Sequence, residues 1–343
     1  MKFKYRVSLL GTLLLLSVST ICLWLEYKTL YRRHHPSTYR GEEHRSFVKL
    51  SNYTSDLVYQ PHLRNRPHYK LVVVSLSAAA YYKRRSAVRS TWHTRLKSWN
   101  FNRAFDQARA IHFFICFTPR KSRVKDDLEL EAEQNGDIVI FADQDKYSQL
   151  PVQTLTALDW AHSQFTFDFL LKTDDDSLVN IDEVMRQLEG KSRDMFGGRV
   201  YRHRHPGNEQ EKQWVAKYHD GISEEYREFA PGAGYILGWD LLARVLAHSS
   251  DVELTSAEDV YMGEVVGQLG VPITPLEGVY PIWQEFCNQS EEGSLPHWTI
   301  IHWLDPPRMV RFWERLNKNV AGCTKVDRTR AEQQTKKGAF SRN

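Results

Sequence analysis

The sequence predicts an α/β protein with a mostly parallel central sheet, and two features of the chain support this class. Short apolar runs rich in β-branched and aromatic residues alternate with segments of helical period between residues 70 and 171. Apolar runs of this kind are typical of strands buried on both faces, in sheets that helices cover on both sides. The succession of strand, helix and strand then predicts parallel neighbours joined by right-handed crossovers.

The first strand is predicted at residues 70–77, where three consecutive valines form a β-branched run. Residues 78–92 follow with arginines at helical spacing and predict a helix. The same alternation continues along the chain. The remaining elements are predicted strands at residues 111–117, 137–141 and 165–171 and predicted helices at residues 126–134 and 150–161.

Three consecutive carboxylates, Asp174, Asp175 and Asp176, are the strongest candidates for chemistry. They lie between the strand at 165–171 and a helix opened by Asn180, at the sheet edge where open α/β folds bind ligands such as nucleotides. Three like charges cost Coulomb energy unless a cation offsets them, and oxygen ligands suit Mg²⁺ or Mn²⁺ shared with a substrate phosphate. The alternative is a solvated acidic turn that caps the helix, and these residues alone do not separate the two.

The N-terminus carries a predicted membrane anchor at residues 7–25. This run of about 19 residues contains no charge and would form about 28 Å of helix, enough to cross a bilayer. Lys2, Lys4 and Arg6 precede it, so the positive-inside rule predicts a type II orientation with the bulk of the chain in the lumen. A cleaved signal peptide is disfavoured, because the residues before Glu26 are bulky and a cleavage site needs small residues there.

The rest of the chain divides by composition. Residues 26–68 are polar and basic without apolar periodicity, as in a tether, and the overall content of 41% hydrophobic and 26% charged residues suits one globular domain. A net charge of +4 on 343 residues, with no dense basic stripe, argues against nucleic-acid binding. The predicted segments are a cytosolic N-terminus (1–6), the anchor (7–25), a lumenal stem (26–68), a folded domain (69–323) and a disordered basic tail (324–343).

The four cysteines predict one disulfide. Cys22 lies in the anchor, and Cys116 lies inside an apolar strand and is predicted to be a buried thiol. This leaves Cys287 and Cys323 to form a bridge in the oxidising lumen. The sequence has no CxxC pair, so a structural zinc site is not expected.

Several further features allow two interpretations each. Arg84, Arg85 and Arg89 lie on the helix after the first strand and either bind an anion or form a solvated basic face. The glycines of residues 196–200 and 231–235 either admit a ligand close to the backbone or form plain turns. The segment between them, residues 201–228, is either an acceptor-binding insertion or a long surface loop.

Two more candidate positions come late in the chain. Glu258 and Asp259 open a helix with Ser256 as a plausible cap, and a carboxylate pair there often only complements the helix dipole. His302 ends a short apolar strand, where a lone histidine is more often structural than a ligand. Neither position decides a function by itself.

Four motifs in order resemble the β1,3-galactosyltransferase family, glycosyltransferase family 31. The resemblance covers residues 69–323, and four ordered motifs are far more specific than one. Gln153 departs from the pattern, since the family commonly has lysine there. The motifs are the basic helix 84–92, the aspartate triplet 174–176, the Gly-Ala-Gly-Tyr segment 232–235 and the acidic segment 258–263.

The resemblance implies an inverting UDP-sugar β1,3-glycosyltransferase of GT-A fold in the Golgi membrane. It assigns the divalent cation, Mn²⁺ or Mg²⁺, to Asp176 and His302, since carboxylate with imidazole suits Mn²⁺. Asp174 and Asp175 would face the ribose and the donor sugar. The family pattern is further matched by the closing Cys323.

The resemblance also implies roles for the remaining site residues. Asp259 would be the general base that takes the proton of the acceptor hydroxyl, with Glu258 as the fallback. Arg85 and Arg89 would either contact UDP or organise the loop around it.

The expected partners are a UDP-sugar donor and a glycan acceptor on protein or lipid, with a homodimer as the expected assembly. UDP-galactose is the family's commonest donor, and UDP-N-acetylglucosamine and UDP-N-acetylgalactosamine relatives share every motif. A catalytically inactive sugar-binding relative is the alternative from another class, against which the intact triplet, Asp259 and His302 speak. A nucleotidyl or phosphoryl transferase would need a phosphate loop such as GxxxxGK[ST], and the sequence has none.

The type II orientation predicts N-linked glycans on both sequons, at Asn52 and Asn288, because both would lie in the lumen. Glycosidase treatment of the membrane-expressed protein should therefore increase its gel mobility. An unchanged mobility, or protease removal of most of the chain from the cytosolic side of sealed microsomes, would contradict this orientation.

Overall fold

The computed structural model describes residues 56–61, 68–96, 110–118, 123–143, 149–202, 227–255, 257–289, 297–318, 320, 323–324, 327 and 329. The predicted cytosolic N-terminus, the anchor, the first part of the stem with Asn52, and most of the tail lie outside these residues. Within the described ranges, every helix is too short or too polar to traverse a bilayer.

Strands and helices alternate through most of the described chain, as the sequence predicts. The strands are β1 (Asp56–Tyr59), β2 (His68–Leu76), β3 (Ala110–Thr118), β4 (Ile138–Ala142), β5 (Thr166–Asp174), β6 (Leu178–Val179), β7 (Phe196–Gly198), β8 (Gly234–Gly238), β9 (Ile273–Pro275), β10 (Val279–Tyr280) and β11 (Ile300–Ile301). The helices are α1 (Tyr82–Ser90), α2 (Arg123–Asn135), α3 (Leu150–Gln164), α4 (Ile181–Gln187), α5 (Trp239–His248), α6 (Glu258–Gln268), α7 (Trp283–Gln289) and α8 (Pro306–Leu316).

The described strands form two sheets. Eight of them make one sheet in the order β1-β4-β3-β2-β5-β8-β7-β9, and three make a small sheet in the order β10-β11-β6. The centre of the large sheet is parallel, because β2 pairs in parallel with β3 and β5, and β3 pairs in parallel with β4. This confirms the predicted α/β class with a mostly parallel central sheet flanked by helices.

The central strands are buried on both faces, which explains their continuous apolar runs. Along β2, Leu71 and Val73 point into one core cluster, whereas Val72 and Val74 point into the other. Helices α1, α2, α4, α7 and α8 contribute to the first cluster, and α3, α5 and α6 contribute to the second. A sheet covered in this way is open to ligands only at its edges and ends.

The folded region extends beyond both predicted boundaries. Strand β1 lies in the predicted stem, but it pairs with β4 in antiparallel orientation, and the Tyr59 hydroxyl donates a hydrogen bond of 3.3 Å to the Ala132 carbonyl. After Cys323, the buried Asp327 accepts hydrogen bonds from the backbone N–H and the hydroxyl of Thr324. Strand β1 is short and Asp327 is a single residue, so neither changes the polar composition of its segment. Domain boundaries predicted from composition therefore leave both outside the folded domain.

Helix α1 begins at Tyr82 and not at residue 78 as predicted. The Ala78 and Ala79 carbonyls accept hydrogen bonds of 2.7 and 3.0 Å from the Arg85 guanidinium, so this segment stays a loop. Helix α6 is preceded by Ala257 as its N-cap, with no side-chain cap, and the predicted cap Ser256 lies outside the described residues.

The predicted disulfide between Cys287 and Cys323 is confirmed. It joins α7 to the segment that follows α8 and thereby closes one side of the first core cluster. Cys116 is buried in β3, also as predicted.

Removing this disulfide should lower the free energy of unfolding by about 3–4 kcal/mol, because the two cysteines are 36 residues apart and the cross-link restricts the unfolded chain. Cys287→Ala, Cys323→Ala and the double variant should show nearly the same loss in urea unfolding, since each breaks the same bond. Equal stability of the oxidised and reduced wild-type protein would contradict a bridge between these cysteines.

Candidate active site

The candidate site lies at the carboxyl end of β5, where the chain turns. Asp174 is the last residue of β5, Asp175 and Asp176 form the turn, and β6 follows at once. Strand β6 pairs with β11 so that Leu178 lies opposite Ile301. This register places His302, far along the chain, beside the aspartates.

Asp174, Asp176 and His302 form a compact cluster. The His302 Nε2 atom lies 2.9 Å from Asp176 Oδ1 and 3.3 Å from Asp174 Oδ2. One ligand atom from each of the three residues lies within 4.8 Å of the others. The structure therefore brings together Asp176 and His302, as predicted, and adds Asp174, for which the resemblance implied a sugar contact instead.

The orientation of His302 suits a cation ligand. Its Nδ1 lies 2.8 Å from the Pro281 carbonyl oxygen, which only accepts, so Nδ1 carries a proton and Nε2 faces the carboxylates. Burial lowers the pKa of His302, but the charges of Asp176 and Asp174 raise it to about 10. The buried Nε2 makes no well-directed hydrogen bond with a described residue. Two carboxylates and one imidazole nitrogen are together a donor set that fits Mn²⁺ or Mg²⁺.

Asp175 points away from this cluster, and its predicted contact with the donor stays a prediction. It is 3% exposed, and its Oδ2 accepts a hydrogen bond of 2.7 Å from the Ser77 hydroxyl. Its Oδ1 accepts one of 3.0 Å from the Arg84 Nη1 atom. Both oxygens are therefore engaged by the protein. The cause is the turn, in which adjacent residues direct their side chains to different sides.

Arg85 and Arg89 contact protein groups and not the space around the cluster. Arg85 is fully buried and makes a double hydrogen bond with Glu131, in addition to its bonds with the loop of residues 77–79. Arg89 pairs with both Glu131 and Asp137. These contacts are consistent with one of the two roles that the resemblance implied, which is to organise the loop around UDP. The Ser77 hydroxyl, which Arg85 holds, then holds Asp175.

A buried lysine connects the cluster to helix α6. Lys172 Nζ lies 3.1 Å from Asp174 Oδ1 and 2.9 Å from Glu258 Oε2, and it donates to the Gly232 carbonyl at 3.2 Å. The other Glu258 oxygen accepts a hydrogen bond from the Tyr235 hydroxyl. Glu258 is thus buried, with one oxygen facing a lysine ammonium group and the other facing a tyrosine hydroxyl.

Asp259 is partly exposed beside this network. Its Oδ2 accepts a hydrogen bond of 3.2 Å from the Gly232 N–H, and its Oδ1 accepts one from the Val260 N–H. Burial and the charge of Glu258 raise the pKa of Asp259 to about 6. A Cβ on Gly232 would lie 3.8 Å from Asp174 Oδ2, so the backbone that holds Asp259 also borders the cluster. A carboxylate with this pKa is suited to accept a proton near neutral pH.

Sequence reasoning missed two residues that contact the site, Ser77 and Lys172, and named Arg84 only as one of three arginines on a basic helix. Lys172 carried a signal, because a lysine inside an apolar buried strand needs a buried partner. Ser77 carried none of comparable strength. Arg84 adjoins Arg85 in sequence, and only the structure shows which of the two reaches the aspartates.

Comparison with known proteins gives one family. The sequence model of the family described as Galactosyltransferase matches residues 83–277. Hydroxyproline O-galactosyltransferase GALT2 of Arabidopsis thaliana is 27% identical over 261 residues, which are 74% of this chain and 36% of that protein. N-acetyllactosaminide β-1,3-N-acetylglucosaminyltransferase 2 of Homo sapiens is 24% identical over 288 residues, which are 81% of this chain and 70% of that protein. The chain thus spans about a third of the length of the plant relative.

Similar solved structures are distant. Galactosyltransferase LgtC aligns with a TM-score of 0.39 at 10% identity, over 79% of this chain and 98% of that chain. Mouse xyloside xylosyltransferase 1 aligns with a TM-score of 0.35 at 12% identity, over 69% of this chain and 97% of that chain. At TM-scores this low, the alignments assign no role to any residue of this chain.

Replacing Glu131 should test the buried network under the site. Glu131→Gln leaves the buried Arg85 without its charged partner and should lower the free energy of unfolding by about 3–5 kcal/mol. Glu129→Gln, on the same helix, removes a pair with Lys125 and should cost less than about 1 kcal/mol. Urea unfolding of both variants gives the comparison, and equal losses would show that the buried pair has no special weight.

Proposed function

This chain belongs to the galactosyltransferase family, and we propose on that premise that it is an inverting β1,3-glycosyltransferase that moves galactose from UDP-galactose to an acceptor sugar. The observation that carries the proposal is the cluster of Asp174, Asp176 and His302 at the carboxyl end of β5. His302 lies outside the segment that the family model matches, residues 83–277. The fold still brings His302 to the aspartate triplet, which supports a single cation site made of all three residues.

Asp174, Asp176 and His302 would hold Mn²⁺ or Mg²⁺ in this proposal. A bound divalent cation would offset the negative charge that grows on the leaving diphosphate. The surrounding residues keep the ligands in place, since Ser77 and Arg84 fix the turn and Lys172 fixes the end of β5. The cation's identity as Mn²⁺ remains a prediction.

Asp259 would be the general base of the transfer. An acceptor hydroxyl is too weak an acid to attack unaided, so an inverting displacement needs a base on the side opposite the leaving group. Asp259 is partly exposed and accepts only backbone N–H groups, whereas Glu258 is buried and engaged with Lys172 and Tyr235. The structure therefore favours Asp259 over the fallback residue.

Donor and acceptor identity are part of the proposal. A second donor, UDP-N-acetylglucosamine, is favoured by the human relative, because this chain covers 70% of a protein named for that transfer. Release of UDP from a panel of UDP-sugars, measured on the full chain with acceptor glycans, separates the two donors. Release from none of them would favour the inactive sugar-binding alternative.

Location and assembly also remain predictions. The uncharged run at residues 7–25 supports a single-pass type II protein of the Golgi membrane with the folded domain in the lumen. The sequon residue Asn288 is exposed at the end of α7, as a glycan would require. A homodimer is expected from the resemblance alone.

Chelation should abolish transfer, and added Mn²⁺ should restore it. Asp176→Ala should weaken binding of the UDP donor as well as turnover, because the cation would bridge protein and diphosphate. Asp182→Ala, which removes an exposed aspartate shortly after the cluster, is the control and should retain both. Full activity in excess chelator would refute the metal site.

Asp259→Asn should lower kcat by about 10²–10⁴-fold while the affinity for the donor stays near that of wild type, because only the proton acceptor is lost. In the wild-type enzyme, kcat/KM should fall as the pH drops through about 6, since the carboxylate form of Asp259 is lost below its pKa. Normal turnover in Asp259→Asn with lost turnover in Glu258→Gln would move the base to Glu258. Normal turnover in both variants would contradict a carboxylate base.

A further inference from the structure

The two aspartates of the metal cluster share a geometric feature that the proposed function does not use. In each, one carboxylate oxygen faces His302 and the other faces a basic side chain. Asp176 Oδ1 lies 2.9 Å from His302 Nε2, whereas Asp176 Oδ2 lies 2.8 Å from Arg84 Nη1. Asp174 Oδ2 lies 3.3 Å from His302 Nε2, whereas Asp174 Oδ1 lies 3.1 Å from Lys172 Nζ.

We propose that Arg84 and Lys172 are positioning residues that hold the outer oxygen of each aspartate, so that each aspartate offers a divalent cation only its inner oxygen. This inference rests on the proposed function, because it concerns the same cation. It adds two residues that act on the cation through Asp176 and Asp174 and do not touch it.

One-oxygen ligation has a chemical purpose in a site of this kind. A carboxylate can bind a metal through one oxygen or through both, and two-oxygen binding takes up an additional coordination position. Mg²⁺ keeps near-octahedral geometry and is commonly bound by one or two carboxylates together with substrate phosphate oxygens. Two aspartates and His302, each giving one atom, would leave about half of an octahedral shell for the diphosphate and water.

Arg84 is itself fixed in three ways. Its Nη1 atom bridges Asp176 and Asp175, and Asp175 is held from the other side by the Ser77 hydroxyl. Its guanidinium also lies over the Tyr81 ring, 4.4 Å from the ring centre. The buried Asp175 therefore has a role, which is to hold Arg84 beside Asp176.

Lys172 is fixed just as fully. An ammonium group has three donors, and Lys172 has three acceptors in Asp174, Glu258 and the Gly232 carbonyl. With its donors matched in this way, the ammonium group is held in one place despite its long side chain. The outer oxygen of Asp174 is thus tied to the rigid start of α6.

The sign of the effect separates positioning from charge. Arg84 and Lys172 are cations next to a cation site, so Coulomb repulsion alone predicts that removing either charge strengthens metal binding. Positioning predicts the opposite, because a freed carboxylate can rotate. Loss of a hydrogen-bonding partner behind a metal ligand typically weakens metal affinity by about 10–100-fold.

The test is Mn²⁺ binding to the full chain in detergent with UDP present, followed by electron paramagnetic resonance, in which free Mn²⁺ gives sharp lines that binding broadens. Arg84→Gln should weaken Mn²⁺ binding by about tenfold, Arg84→Lys should recover part of the loss, and Lys172→Gln should weaken binding in the same direction. The matched control is Arg95→Gln, which removes an arginine from an exposed pair with Asp182 and should not change Mn²⁺ binding.

Unchanged or tighter Mn²⁺ binding in Arg84→Gln and Lys172→Gln, together with lost binding in Asp176→Ala, would overturn the inference and leave the metal site intact. Unchanged binding in Asp176→Ala would instead overturn the metal site on which it rests. If Arg84→Gln proves unfolded by circular dichroism, Arg84→Ala and Lys172→Gln replace it, and unchanged or tighter Mn²⁺ binding in either variant with a wild-type spectrum would overturn the inference for that residue.

Discussion

Electrostatic repulsion among three adjacent aspartates is the constraint on which the site depends. Asp174, Asp175 and Asp176 lie at the end of a buried strand, where water screens their charges poorly. The protein opposes them with three basic groups: Arg84 and His302 each contact two of the aspartate oxygens, and Lys172 contacts one. These basic groups come from three separate elements of the fold, and a divalent cation bound at His302 Nε2 would replace the imidazolium proton in the same balance.

The arrangement of the elements around the site follows from this repulsion among the aspartates. The loop before α1 stays open because its carbonyls accept hydrogen bonds from Arg85, and the same arginine holds the Ser77 hydroxyl against Asp175. Helix α6 is tied to β5 because Glu258 pairs with Lys172. In the small sheet, β11 pairs with β6, and this pairing places His302 beside Asp176. These three elements therefore bring supporting groups to the three carboxylates.

Local patterns predicted what local physics determines. The buried strands, the helices between them, the cysteine pair and the position of the triplet all follow from periodicity and composition. The direction in which each aspartate points does not, because neighbouring residues of a turn face different sides. Arg84 and Arg85 differ in the same way. They lie next to each other on one helix, yet Arg84 reaches Asp176 while Arg85 turns inward to Glu131, a partner 46 positions along the chain. Contacts of this range need the fold.

Anomalous X-ray diffraction from crystals of the protein soaked with Mn²⁺ and UDP tests most directly whether the aspartates and His302 hold a cation. We expect one strong anomalous peak in contact with Asp174 Oδ2, Asp176 Oδ1 and His302 Nε2, with Arg84 and Lys172 still bonded to the outer oxygens. A peak elsewhere, or no peak at this cluster in crystals that contain ordered UDP, would contradict it.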